Sequence, residues 1–280
     1  MPLLTTLIDN FNDNVIGPNW GNSYGGVSEV GGRARIPLVA GTYAGFQTGK
    51  AWTFAEASVY LKLVTLPIPG GGTNVTFNFH VVSPTEGTSL GFQYKAVTGM
   101  LRMEANVAYW DEDAVEIPYS ATDHLWLQVR ETAGTVYWDT SPDGSTWTNR
   151  RTLATPTWVT SSIDTCALDL WAYREAGTTD YTEVDNVNTL SDGAVVTATG
   201  NGTMTTTATA TAARTATATG TSTLNTTTAA AARAIYHATG HGSIDTDATA
   251  TAAGGSIDTS DIDFAVGAPS TSWAVSVPWR

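Results

Sequence analysis

The chain has 280 residues, of which only 14% are charged, and a formal net charge of −13. Cut after Leu190, it carries 10 basic and 20 acidic residues on one side and 3 basic and 6 acidic on the other, so neither part suits nucleic acid or an anionic membrane as partner. A single cysteine, Cys166, excludes an intrachain disulfide and a cysteine-built metal centre, and no run reaches the ~18 apolar residues needed for membrane insertion.

In chain order, Met1-Pro2-Leu3-Leu4-Thr5 lacks the basic and apolar regions of a signal peptide. Leu7-Ile8-Asp9-Asn10-Phe11-Asn12-Asp13 and Trp20 open the chain. A series of period-2 runs follows: Ala57–Leu63, Val75–Val81, Leu90–Lys95, Leu125–Arg130 and Leu168–Tyr173. Alternation bounded by Gly31-Gly32, Pro69-Gly70-Gly71-Gly72 and Asp143-Gly144 predicts antiparallel strands with one buried face, enough to stack two sheets. Cys166 sits in such a run and reads as a small buried hydrophobe.

The opening motif resembles the first strand of concanavalin-A-like jelly-rolls. His124–Arg130, Val136-Tyr137-Trp138-Asp139, Ser141-Pro142-Asp143-Gly144 and Trp147 are similar to their central hairpin, and Tyr181–Val187 to their last strand. The resemblance spans nearly all of residues 5–190. Domains with this Asp-x-Phe opening occur in carbohydrate-binding modules and in minor tail proteins of phages of actinobacteria. The resemblance therefore implies a lectin-like jelly-roll on a virion tail or fibre. It would attach to a host cell-wall or surface glycan beside other tail proteins, assembled in the host cytoplasm and acting outside the cell. A secreted carbohydrate-binding module and a jelly-roll glycosidase are the alternatives.

The related glucanases carry both catalytic carboxylates on a Glu-x-Asp-x-x-Glu-like strand, and here Glu183-Val184-Asp185-Asn186-Val187-Asn188 ends on Asn188. Asn cannot donate and recover a proton, so the expectation is a protein that is not an enzyme. Some related sandwiches also clamp a structural Ca²⁺ between their first and last strands. Asp9, Asp13 and Asp185 would supply its oxygens, unless Asp9 and Asp185 merely cap turns. His237 and His241 have helical spacing in a strand-like context, which argues against zinc.

With the core faces set by alternation, the other faces carry Tyr60, Lys62, Asn78, His80, Gln93, Lys95, Trp126, Gln128, Arg130, Trp171 and Tyr173. Sugars present C–H faces that stack on aromatic rings and hydroxyls that seek planar amide or guanidinium groups. Asn78, His80, Trp126, Gln128, Arg130, Trp171 and Tyr173 are thus candidate carbohydrate contacts; the alternative is a solvated outer face. Trp110, in Tyr109-Trp110-Asp111-Glu112-Asp113, is a further candidate, unless it folds back onto the core over an acidic loop.

After residue 190 the composition changes, and from Ala194 to Ala253 roughly two-thirds of the residues are Ala or Thr. Ala198-Thr199-Gly200 recurs at Ala218-Thr219-Gly220 and Ala238-Thr239-Gly240, each followed by one large apolar residue: Met204, Leu224 and Ile244. A linker needs no such register. The fold class expected is therefore all-β: an antiparallel jelly-roll sandwich over 1–190, then a repetitive Thr/Ala β-stalk over 191–260. In the stalk, Met204, Leu224 and Ile244 would meet on the axis of a homo-oligomer, a trimer. Residues 261–280, with Phe264, Trp273 and Trp279, read as a docking segment or a cap on the last repeat.

Overall fold

The computed structural model describes residues 2–191 in full and, beyond them, the backbone of six strands between residues 194 and 249. The chain divides into two compact units, Met1–Asp192 and Gly193–Arg280. Among the described residues no helix is long and apolar enough to cross a membrane.

The strands of the first unit are β1 (Ser28–Glu29), β2 (Ala34–Leu38), β3 (Thr42–Gln47), β4 (Ser58–Thr65), β5 (Val75–Val82), β6 (Ser89–Lys95) and β7 (Met100–Asn106). They continue as β8 (Val115–Pro118), β9 (Trp126–Thr132), β10 (Thr135–Ser141), β11 (Thr148–Ala154), β12 (Ala167–Arg174) and β13 (Asp180–Asp185). One sheet has the order β1-β2-β13-β4-β9-β10-β11 and the other β12-β5-β6-β7-β8, with antiparallel neighbours throughout. Two antiparallel sheets enclose one core, the sandwich that the alternation predicts, and are consistent with the jelly-roll that the resemblance implies. β3 flanks the free side of β12, where Thr48 N donates to Leu168 O and Gly41 N to Arg174 O.

Period-2 patterning builds the core. Val59, Leu61 and Leu63 of β4, Val129 of β9 and Trp138 of β10 meet Phe77 and Phe79 of β5, Phe92 of β6 and Leu168 and Leu170 of β12. Burying each such side chain contributes about 1.5–3 kcal/mol. Trp138 also ties the sheets together, its Nε1 donating to Gly91 O at 2.8 Å. Only glycine fits at position 91: a Cβ there would lie 1.9 Å from Phe79 O.

The opening motif closes the sandwich. Asp9 N donates to Val187 O, and the Asp9 carboxylate accepts from Phe11 N and Trp20 Nε1, both at 2.8 Å. Phe11 and Trp20 then pack with Phe46. Asn188 holds the other end: its Nδ2 donates to Leu4 O and Leu7 O at 2.7 and 2.8 Å, and its Oδ1 accepts from Tyr60 N.

In the second unit, β14 (Ala194–Thr199), β16 (Arg214–Thr219) and β18 (Ala234–Thr239) form one parallel sheet. β15 (Gly202–Thr209), β17 (Ser222–Ala229) and β19 (Gly242–Thr249) form another. Every pair is in register at a step of one repeat: Ala198 with Ala218 and Ala238, Met204 with Leu224 and Ile244. The backbone partners therefore come from the same chain, as in a parallel β-solenoid, whereas the sequence reading sought packing between chains. The side chains of this unit and residues 250–280 lie outside the described residues. So do the axis role of Met204, Leu224 and Ile244, the trimer, and the docking segment 261–280.

Candidate functional site

The outer face of the five-stranded sheet is a polar and aromatic floor, laid out by strand register. Asp169, His80, Gly91 and Glu104 form one cross-strand row over β12, β5, β6 and β7. The next row is Trp171, Asn78, Gln93, Arg102 and, on β8, Glu116. Above this floor lies a cleft of about 650 Å³, lined also by Gln47, Lys50, Glu86, Asn106, Tyr109 and Trp110.

In the first row, the bare position Gly91 leaves room for His80 and Glu104 to meet. Their Nε2 and Oε1 stand 3.0 Å apart, an ion-pair approach without an aligned hydrogen bond. Arg102 Nε and Asn106 Nδ2 also donate to the Glu104 carboxylate, at 2.8 and 3.0 Å. Burial pushes the Glu104 carboxyl up, but His80, Asn106 and Arg102 outweigh it and hold the pKa at about 2. At the other end of the row, burial wins. Asp169 is raised to about 6 although Gln47 Nε2 donates to it at 2.7 Å and His80 and Tyr24 lie beside it. One row thus carries two carboxyls whose pKa values are pushed in opposite directions, Glu104 down and Asp169 up.

The rim of the cleft is a tight loop after β7. Ala108 and Tyr109 have φ of 51° and 67°, a costly region for residues with side chains. Tyr109 N donates to Gly87 O, Val107 N to Trp110 O, and the Tyr109 hydroxyl to Glu86. Asp111 is anchored below by Arg151 of β11 at 2.7 Å. The loop thereby presents Tyr109 and Trp110 at 70% and 66% exposure, with the Arg102 guanidinium 5.3 Å from the Trp110 ring. Trp110 does not fold onto the core; it is Asp111 that turns inward.

The sequence candidates divide between two surfaces. Asn78, His80, Trp171, Tyr173 and Trp110 belong to the cleft sheet or its rim, with Asn78 and His80 buried in its floor. Trp126, Gln128 and Arg130 lie on β9 of the other sheet, so they share no surface with Trp171. Trp126 is not an exposed platform: it is 6% exposed, packed with Tyr60 and Lys62. Arg130 is committed to Asp139 at 2.7 Å and to the Tyr137 ring. The sequence reading does not name Glu104, Asp169 or Gln47 as cleft residues, and it names Tyr109 only as a neighbour of Trp110. Alternation could have flagged Asp169 and Glu104, since each is a carboxylate on the polar phase of a strand.

The proposed calcium ligands do not assemble. Asp9 serves Phe11 and Trp20, Asp13 accepts from Val15 N, and Asp185 accepts from Asn186 N. The carboxylate close to Asp9 and Asp13 is instead Glu29, buried, with neither oxygen in an aligned hydrogen bond. Burial and the nearby Asp9 and Asp13 charges raise its pKa to about 9, so it stands as a neutral acid beside them. Among the described residues no group of three or more His, Cys, Asp or Glu side chains is arranged to hold a metal ion. Cys166 is buried and its thiol pushed up to about 11 by that burial, which makes it inert.

No family model and no curated protein sequence matches the chain. Among solved structures, it is similar to a β-glucanase of Bacillus licheniformis, at 12% identity and a TM-score of 0.43, over 57% of this chain and 80% of that one. It is also similar to the catalytic domain of an endo-1,3-β-glucanase (laminarinase) from Thermotoga petrophila RKU-1, at 12% identity and 0.47, over 65% and 95%. A third is a xylan β-1,4-xylosidase from Bacillus halodurans C-125, at 14% and 0.47, over 64% and 38%. At these identities the likeness is one of fold. The expectation that the chain is not an enzyme is nevertheless corrected. The strand on which catalysis was excluded lies outside the cleft, so its Asn188 does not exclude chemistry there. Glu183 belongs to β13 of the other sheet and is ion-paired with Arg33 and Arg35, while Asn188 is a structural staple.

Proposed function

We propose that the cleft of the five-stranded sheet binds a glycan. The observation that carries this reading is the rim loop: a strained backbone holds two exposed aromatic rings at the mouth of the same cleft that Trp171 lines. The floor between supplies Gln93, Asn106 and His80, planar groups suited to sugar hydroxyls. Trp110→Ala and Trp171→Ala should each weaken binding to bacterial cell walls and to soluble β-glucan about tenfold while the thermal transition stays within a few degrees. Unchanged binding in both variants removes the reading.

Hydrolysis of that glycan is a second reading, favoured by one observation. Burial raises the Asp169 pKa to about 6 in the same row as a Glu104 held at about 2, so the two carboxyls titrate far apart. The two stand three strands apart, roughly 14 Å between backbones. That backbone spacing exceeds both the ~6.5–9.5 Å between the carboxyls of inverting enzymes and the ~5–5.5 Å of retaining ones, so the pair matches neither standard arrangement. Release of reducing sugar that is lost in Asp169→Asn would establish it.

We further read the ligand as a bacterial surface glycan and the chain as a phage tail or fibre component. The support is the opening-motif resemblance and the in-register repeat. Mass spectrometry of purified virions, together with retention of the chain on host cell walls, tests this.

A further inference from the structure

Beyond the cleft, the floor continues into a group of aromatic rings on β12 and β3. Asp169, Trp171 and Tyr173 are alternate residues of β12 and share its outer face. Tyr43 of β3 lies beside them: its ring is 5.7 Å from Trp171 and stacked on Tyr173 at 4.4 Å. Tyr43 is 55% exposed, and Trp171 and Tyr173 are half-buried. Gly45, two residues on from Tyr43, keeps the way open, since a Cβ there would stand 2.9 Å from both Trp171 Cβ and Tyr24 Oη.

Tyr43 and Tyr173 cover one face of each other, and His80 stands 6.0 Å from the Trp171 ring. Among the described residues, a guanidinium or ammonium covers the rings of Tyr181, Trp126, Trp110, Tyr137 and Trp138. None covers Trp171, Tyr173 or Tyr43. A ring face without a cation is matched by an uncharged C–H surface. The nearest cation across the sheet in the Tyr173 row, Lys95, is paired with Glu116 at 3.0 Å.

We infer that Trp171, Tyr43 and Tyr173 form an aromatic shelf that extends the cleft along β12 and takes successive rings of an uncharged pyranose chain. The inference rests on the glycan reading of the cleft and adds its length and chemistry. From Asp169 to Tyr173 the strand advances roughly 14 Å, more than one sugar ring covers. The ligand is therefore the interior of a neutral polysaccharide rather than a single terminal sugar or a uronic acid polymer.

The test is calorimetric titration of the full chain with neutral β-1,3- and β-1,4-gluco-oligosaccharides of two to six units, and with oligogalacturonides of the same lengths. Affinity for the neutral series should rise with length by about tenfold overall. Tyr43→Ala should abolish that rise and leave disaccharide affinity unchanged, whereas Tyr43→Phe should retain it. Because Tyr43 is largely exposed, its variants keep the fold, which a thermal melt verifies. Length-independent binding, an equal loss for every length in Tyr43→Ala, or preference for the acidic series overturns the shelf while leaving the cleft as a glycan site. If the wild-type chain binds none of the oligosaccharides, the glycan reading fails, and the shelf with it.

Discussion

Arg151 Nη1 lies 2.7 Å from Asp111 Oδ2, and this buried pair fastens the edge of one sheet to the rim loop of the other. Arg151 Nη1 also donates to Met103 O, and Asp111 Oδ2 accepts from Ala105 N, so the pair fixes the foot of the loop on both sides. Burial opposes the ionised Asp111, but Arg151 holds its carboxyl below the usual range.

Breaking that pair leaves a buried charge unpartnered. Arg151→Ala should cost about 3 kcal/mol in chemical denaturation. In the folded fraction it should also free Trp110, seen as increased quenching of tryptophan fluorescence by acrylamide. A loss of stability with unchanged quenching would show that Arg151 does not position the rim.

Trp126 and Trp171 should respond oppositely to truncation. Trp126 is covered by Tyr60 and Lys62 and sits away from the cleft, so Trp126→Ala should destabilise by about 3 kcal/mol with glycan affinity unchanged. Trp171→Ala should show the reverse. Paired melting and binding curves decide between them.

Asp169 makes stability depend on pH in the less common direction. Its folded pKa of about 6 lies above the ordinary aspartate value of 3.8, so the native state binds the extra proton between these values. Stability contributed by the proton is full below pH 3.8 and is lost as pH rises through 6. Asp169→Asn should therefore be more stable than the parent at pH 7, by up to about 3 kcal/mol, with the two converging near pH 4. Glu104 acts in the opposite sense and weakens the fold only as pH falls towards 2. Denaturation midpoints of parent and variant between pH 4 and 8 give the difference directly.

Asn188→Ala removes two donors to the Leu4 and Leu7 carbonyls and the acceptor for Tyr60 N. The cost should be about 2–4 kcal/mol, with early loss of amide protection at Leu7 and Tyr60 in hydrogen exchange. Uniform loss of protection across the sandwich would show that Asn188 is not a local clasp.

The sequence by itself determined the alternating strands β4, β5, β6, β9 and β12, their buried faces and the 20-residue register of the repeats. These are local properties: a side chain's face follows from its parity in a strand, and a period can be read along one line. Parity does not say which sheet a strand joins. Trp126 and Trp171 occupy the same polar phase of similar runs, yet β9 and β12 lie in opposite sheets, which separates a ring covered by Tyr60 and Lys62 from a cleft wall. Asp169, His80 and Glu104 come from three strands far apart in the chain, and only antiparallel pairing through Gly91 sets them in one row. Asn188 shows the same limit: its position in a motif suggested a missing acid, and its hydrogen bonds show a clasp on the first residues of the chain. Strand order is decided by burial and pairing across the whole core, long-range terms that leave no mark in any short stretch of sequence.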